Sequence, residues 1–148
     1  MMLRPYPPIT FFLCVTGAIL SWLLLPQLNF ITAPYTWPGI APIVIGCWLL
    51  LTASQRFKKV GTNILPFNKP DVLVTHFPFN VSRNPMYLGF LCLLLGAALM
   101  FGNFAAFVFV AVFFGVINTI NIPFEEQLCE ATLGDDYIRY KASVRRWL

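Results

Sequence analysis

The chain has 148 residues, 58% of them hydrophobic and only 11% charged, with a mean hydropathy of +0.72 and a formal net charge of +4. Soluble domains carry about 25% charged residues, so so short a chain cannot hide this much apolar surface from water, and a soluble globule is excluded. The positive balance reads as orientation in a bilayer and contact with anionic headgroups, not as nucleic-acid binding.

Four apolar stretches follow one another, at residues 9–25, 37–53, 86–101 and 104–122. Each approaches the ~20 residues that cross a bilayer as a helix. No alternating barrel pattern is present, and backbone groups in lipid must pair internally, so helices are expected. The first stretch follows Arg4 like a signal peptide, but it is long for an h-region and no small-x-small cleavage site follows, so a retained span is expected. Pro26 ends it, and Tyr35 and Trp37 suit an outer interface. Pro38 and Pro42 fall in the first turns of span two, where a missing N–H matters least. That span is expected to end near residues 54–56, anchored by Lys58 and Lys59.

Residues 55–85 form the one long connection outside the membrane, and Gly61, Pro66, Pro70 and Pro78 prevent it from being a single helix. Asn84-Pro85 then marks the start of span three, with Asn as N-cap and Pro at the first helical position. Gly102-Asn103 turns the chain. Ala111 and Gly115 in span four have small-xxx-small spacing, which permits close helix contact, although ordinary packing is the preferred reading, and Pro123 is expected to break that span. A short helix follows at residues 124–133, capped by Gly134. A second begins at Asp135, with Tyr137, Tyr140, Val144 and Trp147 on its apolar face and Asp135 paired with Arg139. Its basic residues suggest a helix lying on the membrane surface.

The expected fold class is therefore all-α: a polytopic membrane helix bundle of about four transmembrane helices plus C-terminal interfacial helices. It forms a single domain over residues 1–148, with two spans in residues 1–54 and the loop, hairpin and interfacial helices in residues 55–148. Residues 26–39 and the 102–103 turn carry no charge, and all ten basic and six acidic residues fall elsewhere. Four spans with both termini cytoplasmic put every charge on one side, as the positive-inside bias requires.

One histidine and four cysteines without a C-x-x-C pair give no metal site and no disulfide framework. Three side-chain groups could carry chemistry. The start of span three offers unpaired N–H groups and a positive dipole end, and Arg83 adds a guanidinium fork for a carboxylate or phosphate; a plain interfacial anchor is the alternative. Glu125-Glu126 is an unusual acidic pair at a membrane face. It is either a binder of hydroxyls or an ammonium, or a solvated pair at a helix start. His76 could act as a general base near neutral pH or be a surface-loop histidine. Phe77, Phe79 and Tyr87 could form an aromatic wall or anchor at the interface. If residues 86–122 form an antiparallel hairpin, Arg83 and the two glutamates arrive at the same face.

Taken together, Leu73-Val74-Thr75, Arg83-Asn84-Pro85-Met86-Tyr87-Leu88-Gly89, Glu125-Glu126, Leu133-Gly134-x-x-Tyr137-x-x-Tyr140 and Val144-Arg145-Arg146-Trp147 resemble the isoprenylcysteine carboxyl methyltransferase and phospholipid methyltransferase superfamily. These are integral membrane enzymes that use S-adenosylmethionine. The resemblance covers the C-terminal half and implies that Leu73, Val74, Phe79, Asn84, Pro85, Met86, Tyr87 and Glu125 bind cofactor at the cytoplasmic face. Arg83 and His76 are the candidate catalytic residues, and a lipid-like acceptor, carboxylate or amine, would enter from the bilayer. Phe77, Asn80 and Asn121 depart from the family pattern. Asn121 replaces a basic residue that contacts substrate in the isoprenylcysteine enzymes, which argues against a prenylcysteine carboxylate. An NADPH-dependent membrane reductase, with Arg56, Lys58 and Lys59 at the phosphates, is the alternative enzyme, although no Gly-rich loop supports it. A non-catalytic membrane scaffold is the alternative without chemistry.

Overall fold

The computed structural model describes residues 5–60 and 72–148. Arg4, Gly61, Pro66 and Pro70, which figured in the sequence reading, lie outside these residues. Six α-helices account for most of the described chain: α1 (Pro7–Leu24), α2 (Ile40–Val60), α3 (Pro85–Phe101), α4 (Phe104–Val116), α5 (Ile122–Leu133) and α6 (Asp135–Ser143). No strand occurs among the described residues, only an isolated bridge between Asn29 and Asn103.

Three helical stretches, Pro7–Leu24, Trp37–Val60 and Phe104–Leu133, are long and apolar enough to cross a bilayer. The fourth, Pro85–Phe101, is apolar but only 17 residues long, at the lower edge of what can span ~30 Å of hydrocarbon. The outward surface is that of a protein dissolved in lipid. Phe12, Leu13, Trp48, Leu51 and Phe104 are each more than half exposed, whereas Ala18, Leu94, Ala98, Phe113 and Ile117 are fully enclosed. Such helices are apolar all round, and small or well-shaped residues mark their inner faces.

α2, with the turn before it, packs on α3 backbone to backbone. A Cβ on Gly39 would stand 2.6 Å from the carbonyl oxygen of Gly96, and one on Gly46 would stand 2.6 Å from that of Gly89. The two glycine pairs lie two turns apart on each antiparallel partner, so the backbones touch where side chains are absent. Gly115 does not act this way: a Cβ there meets nothing within 4 Å, and Ala111 is exposed. The small-residue spacing in span four therefore does not mark a contact within the chain, because packing is set by facing partners as well as by one helix's sequence.

Pro123 does not break span four. The helix runs on through a π-turn at Ile117–Asn121, in which the Ile122 N–H donates to the Ile117 carbonyl, and continues as α5. A π-turn widens the helix and shifts its carbonyls, so the proline ring finds room and its missing N–H is absorbed at the first turn of α5. The resulting 30-residue rod is ~45 Å long, longer than the hydrocarbon layer. Its far end, α5, carries Glu125, Glu126 and Glu130, and the surplus length is read as this charged end extending beyond the hydrocarbon. As expected, Gly102 turns the chain with φ 58° and Gly134 ends α5 with φ 56°. α6 starts at Asp135, but Arg139 pairs with Asp136 rather than with Asp135.

Candidate functional site

The site lies at the end of the bundle where Pro5 and the C-terminal segment come together around α3 and the π-turn. Pro85 occupies the first helical position of α3, and Asn84 holds the cap position without capping: no side-chain cap bond forms. The Asn84 side chain instead donates to the Arg146 carbonyl at 3.0 Å. Ser82 takes part on both sides, accepting from the Asn84 N–H at 3.2 Å and donating to the same Arg146 carbonyl at 3.3 Å. The Arg83 N–H donates to the Arg145 carbonyl at 3.0 Å. The C-terminal segment thus lies across the start of α3 as an extended strap, its carbonyls bonded to the three residues that lead into the helix.

Arg83 points inward. Its Nη2 lies 3.2 Å from Glu126 Oε1, with the two side chains 9% and 7% exposed. Glu126 is also gripped in two-pronged fashion by Arg146, through Nη2 at 2.8 Å and Nε at 3.1 Å, and Lys141 stands 3.6 Å away. Lys141 donates to Glu130 at 2.7 Å. Burial would raise the Glu126 carboxyl, but the Arg146 hydrogen bond and the charges of Arg83, Arg146 and Lys141 outweigh it and hold Glu126 below the usual carboxylate range. Three cations here meet Glu126 and Glu130, and Glu125 stands beside them as a third carboxyl. Arg83 also has two buried donors, Nε and Nη1, without a partner among the described residues. An unmade buried donor costs about 1–3 kcal/mol, and more when charged.

Glu125 has a different environment one residue away. It accepts a 2.6 Å hydrogen bond from the Tyr87 hydroxyl. Burial pushes its carboxyl up to about 7, against the lowering effect of the Tyr87 bond. The π-turn supplies a third feature. Asn118 accepts from Trp147 Nε1 at 3.0 Å. Asn121 is fully buried and donates to the Pro5 carbonyl at 2.9 Å, while its Oδ1 has no partner among the described residues.

The expected site residues fall into groups. Arg83, Asn84, Pro85, Tyr87 and Glu125 come together with Glu126 in the polar cluster. Val74 and Phe79 form an apolar cluster with Ala53, against which Phe57 and Met86 pack. Leu73 lines a separate open groove of about 610 Å³, together with Thr75, Asn80, Arg139 and Tyr140. His76 is exposed and its backbone carbonyl accepts from the Phe79 N–H; among the described residues no ion pair or side-chain hydrogen bond joins it to Arg83. Arg56, the expected phosphate contact of the reductase reading, donates from Nε to the Phe77 carbonyl at 2.9 Å.

Sequence reasoning left Arg146, Lys141 and Asn118 out of the site and assigned the C-terminal basic residues to the membrane surface. Arg146 instead closes on Glu126, Arg139 stays exposed, and the aromatic face of α6 is turned into the protein, where the Tyr140 hydroxyl donates to the Phe79 carbonyl at 2.6 Å. The available signal was charge balance, since a buried carboxylate next to a single arginine needs further partners. No group of three or more His, Cys, Asp or Glu suited to a metal ion occurs among the described residues.

The sequence profile of phospholipid methyltransferases matches residues 34–136. The matched stretch takes in α2 to α5 with Arg83, Tyr87, Glu125 and Glu126, and stops before Lys141 and Arg146. An uncharacterized protein of Haemophilus influenzae is 48% identical over 63 residues, which is 43% of this chain and the whole of that protein. No solved structure gives a significant match.

Proposed function

We propose that this chain, which belongs to the phospholipid methyltransferase family, moves a methyl group from S-adenosylmethionine to a lipid-like acceptor at the cytoplasmic membrane face. The observation that carries the reading is the buried Arg83 guanidinium, which keeps two donors unmade among the described residues while its third nitrogen meets Glu126. That donor set fits a carboxylate such as the one on the cofactor's amino-acid end.

When bound, the cofactor supplies a methyl group on a sulfonium, activated for in-line displacement. The chain's own residues then have separable tasks. Arg83 binds the anionic group, and Glu126, clamped by Arg146, fixes the direction in which Arg83 points. Glu125 and Tyr87 offer acceptor and donor to hydroxyl or ammonium groups. Val74, Phe79 and Met86 provide an apolar wall that excludes water. α3 and α4 open to the bilayer and admit the acceptor. For the acceptor, the unmade buried oxygen of Asn121, four residues before Glu125 and so on the same helical side, supports an N–H-bearing amine over a carboxylate.

The test is calorimetric titration of detergent-solubilised protein with S-adenosylmethionine. The parent should bind, and Arg83→Ala and Glu125→Gln should each weaken binding by about a hundredfold, the scale on which losing a charge-assisted contact acts. Variants that both bind like the parent would remove the site assignment. Incubating the protein with methyl-labelled cofactor and total membrane lipid then identifies the acceptor.

A further inference from the structure

The loop that leads into Arg83 is gripped at two carbonyls from opposite sides. The Phe77 carbonyl accepts from Arg56 Nε of α2 at 2.9 Å, and the Phe79 carbonyl accepts from the Tyr140 hydroxyl of α6 at 2.6 Å in a buried contact. Rings reinforce both grips: Trp48 lies 5.2 Å from Phe77 and Phe57 lies 5.0 Å from Phe79, centroid to centroid. Between these points the chain makes a tight turn, with the Phe79 N–H donating to the His76 carbonyl and the Val81 and Ser82 N–H groups to the Pro78 carbonyl. Ser82 and Arg83 follow directly. Neither Arg56 nor Tyr140 is in the polar cluster, yet the short backbone between Phe79 and Arg83 transmits where they hold it.

We infer that Arg56 and Tyr140 are positioning residues that set the loop carrying Phe79 and Arg83, and through it the affinity for cofactor, without touching the cofactor. The inference rests on the methyltransferase reading above. It assigns a functional role to the second span and to α6, which supply none of the guanidinium-to-carboxylate contact between Arg83 and Glu126. A carbonyl held by one neutral or charge-assisted hydrogen bond is worth a modest factor. Loosening it lets Arg83 sample other directions, which weakens binding without removing a ligand contact.

The test compares the full-length parent with Tyr140→Phe and Arg56→Met in detergent, by two measurements. Hydrogen–deuterium exchange of the cofactor-free protein should show faster exchange at the amides of Phe79, Val81 and Ser82, with α1 and α4 unchanged. The Kd for S-adenosylmethionine should rise about three- to tenfold, and assays with total membrane lipid should show a raised KM for the cofactor at near-parent kcat. A merely structural role would instead accelerate exchange across the bundle and lower the melting temperature. Parent-like exchange in the loop, or parent-like Kd despite a loosened loop, overturns the inference while the methyltransferase reading stands. A parent that binds no S-adenosylmethionine overturns both. If Arg56→Met fails to fold, Tyr140→Phe, which removes a single oxygen, carries the test alone.

Discussion

The two ends of the helical bundle hold buried polar groups in opposite ways. At the uncharged end, Asn103 is fully enclosed and every polar atom of its side chain is used. Its amide nitrogen donates to the Leu25 carbonyl at 3.0 Å and to Asn29 Oδ1 at 2.7 Å, and its oxygen accepts from the Ala105 N–H at 2.9 Å. The Gly102 carbonyl accepts from both Phe30 and Ile31. At the charged end, Arg83 has two donors and Asn121 one acceptor unmade among the described residues, and one carboxylate is gripped by three cations. A closed network stabilises a turn and asks for nothing more; an open one, at similar depth, is stable only if something else completes it. That difference, rather than polarity itself, separates architecture from site.

Substitutions can break the comparison, and the largest effect is expected at the charged end. Glu126→Ala leaves Arg83 and Arg146 facing each other without their shared carboxylate, and should destabilise the protein by about 3–5 kcal/mol, read as a lowered melting temperature in detergent. At the neutral end, Asn103→Ala should cost about 1–3 kcal/mol by orphaning its partners, while the surviving folded protein binds S-adenosylmethionine with parent affinity. A loss of affinity in that variant would mean the two ends are not independent.

The adjacent glutamates sharpen the contrast through pH. Glu125 has a folded pKa raised from the ordinary value to about 7, so its contribution is complete below about 4.5 and is lost as pH rises through about 7. Glu126 has a lowered folded pKa, so its contribution is complete above about 4.5 and is lost on further acidification. The cofactor-free melting temperature should therefore fall between about pH 4.5 and 7, by the equivalent of roughly 1 kcal/mol after solvent screening, and Glu125→Gln should flatten that fall. A profile that keeps the same slope in Glu125→Gln would place the titrating group elsewhere.

Two glycine substitutions separate the packed face from the lipid face. Gly46→Ala puts a methyl group 2.6 Å from the Gly89 carbonyl oxygen and should cost about 1–3 kcal/mol by overpacking. Gly115→Ala enters open space and should be neutral or stabilising by up to about 1 kcal/mol through helix propensity. Equal effects at the two sites would contradict the packing of α2 on α3.

Much of the fold was legible because it rests on short-range physics. Continuous apolar runs of membrane length, Pro85 at the first position of α3, and Gly102 and Gly134 at left-handed turns each follow from a few neighbouring residues. The meeting of Arg83 with the acidic pair was legible for the same reason, since an antiparallel hairpin with a tight turn returns its ends to one face. Other features depended on contacts between segments far apart in sequence. Asn84 was correctly placed at the cap position, but its side chain is drawn away by the Arg146 carbonyl, 62 residues on. The aromatic stripe of α6 was correctly identified, but periodicity says only that a face is apolar, not whether lipid or protein covers it.

The sequence by itself determined that this is a helical membrane protein with a cation and two carboxylates brought to one end. Only the tertiary structure decided which carboxylate meets which partner. Successive helical residues point about 100° apart, and the π-turn at Ile117–Asn121 inserts an extra step of rotation that the periodicity of α4 cannot anticipate. Glu126 is thereby turned onto Arg83 and Arg146, and Glu125 onto Tyr87. The chemistry assigned to each glutamate depends on that rotation.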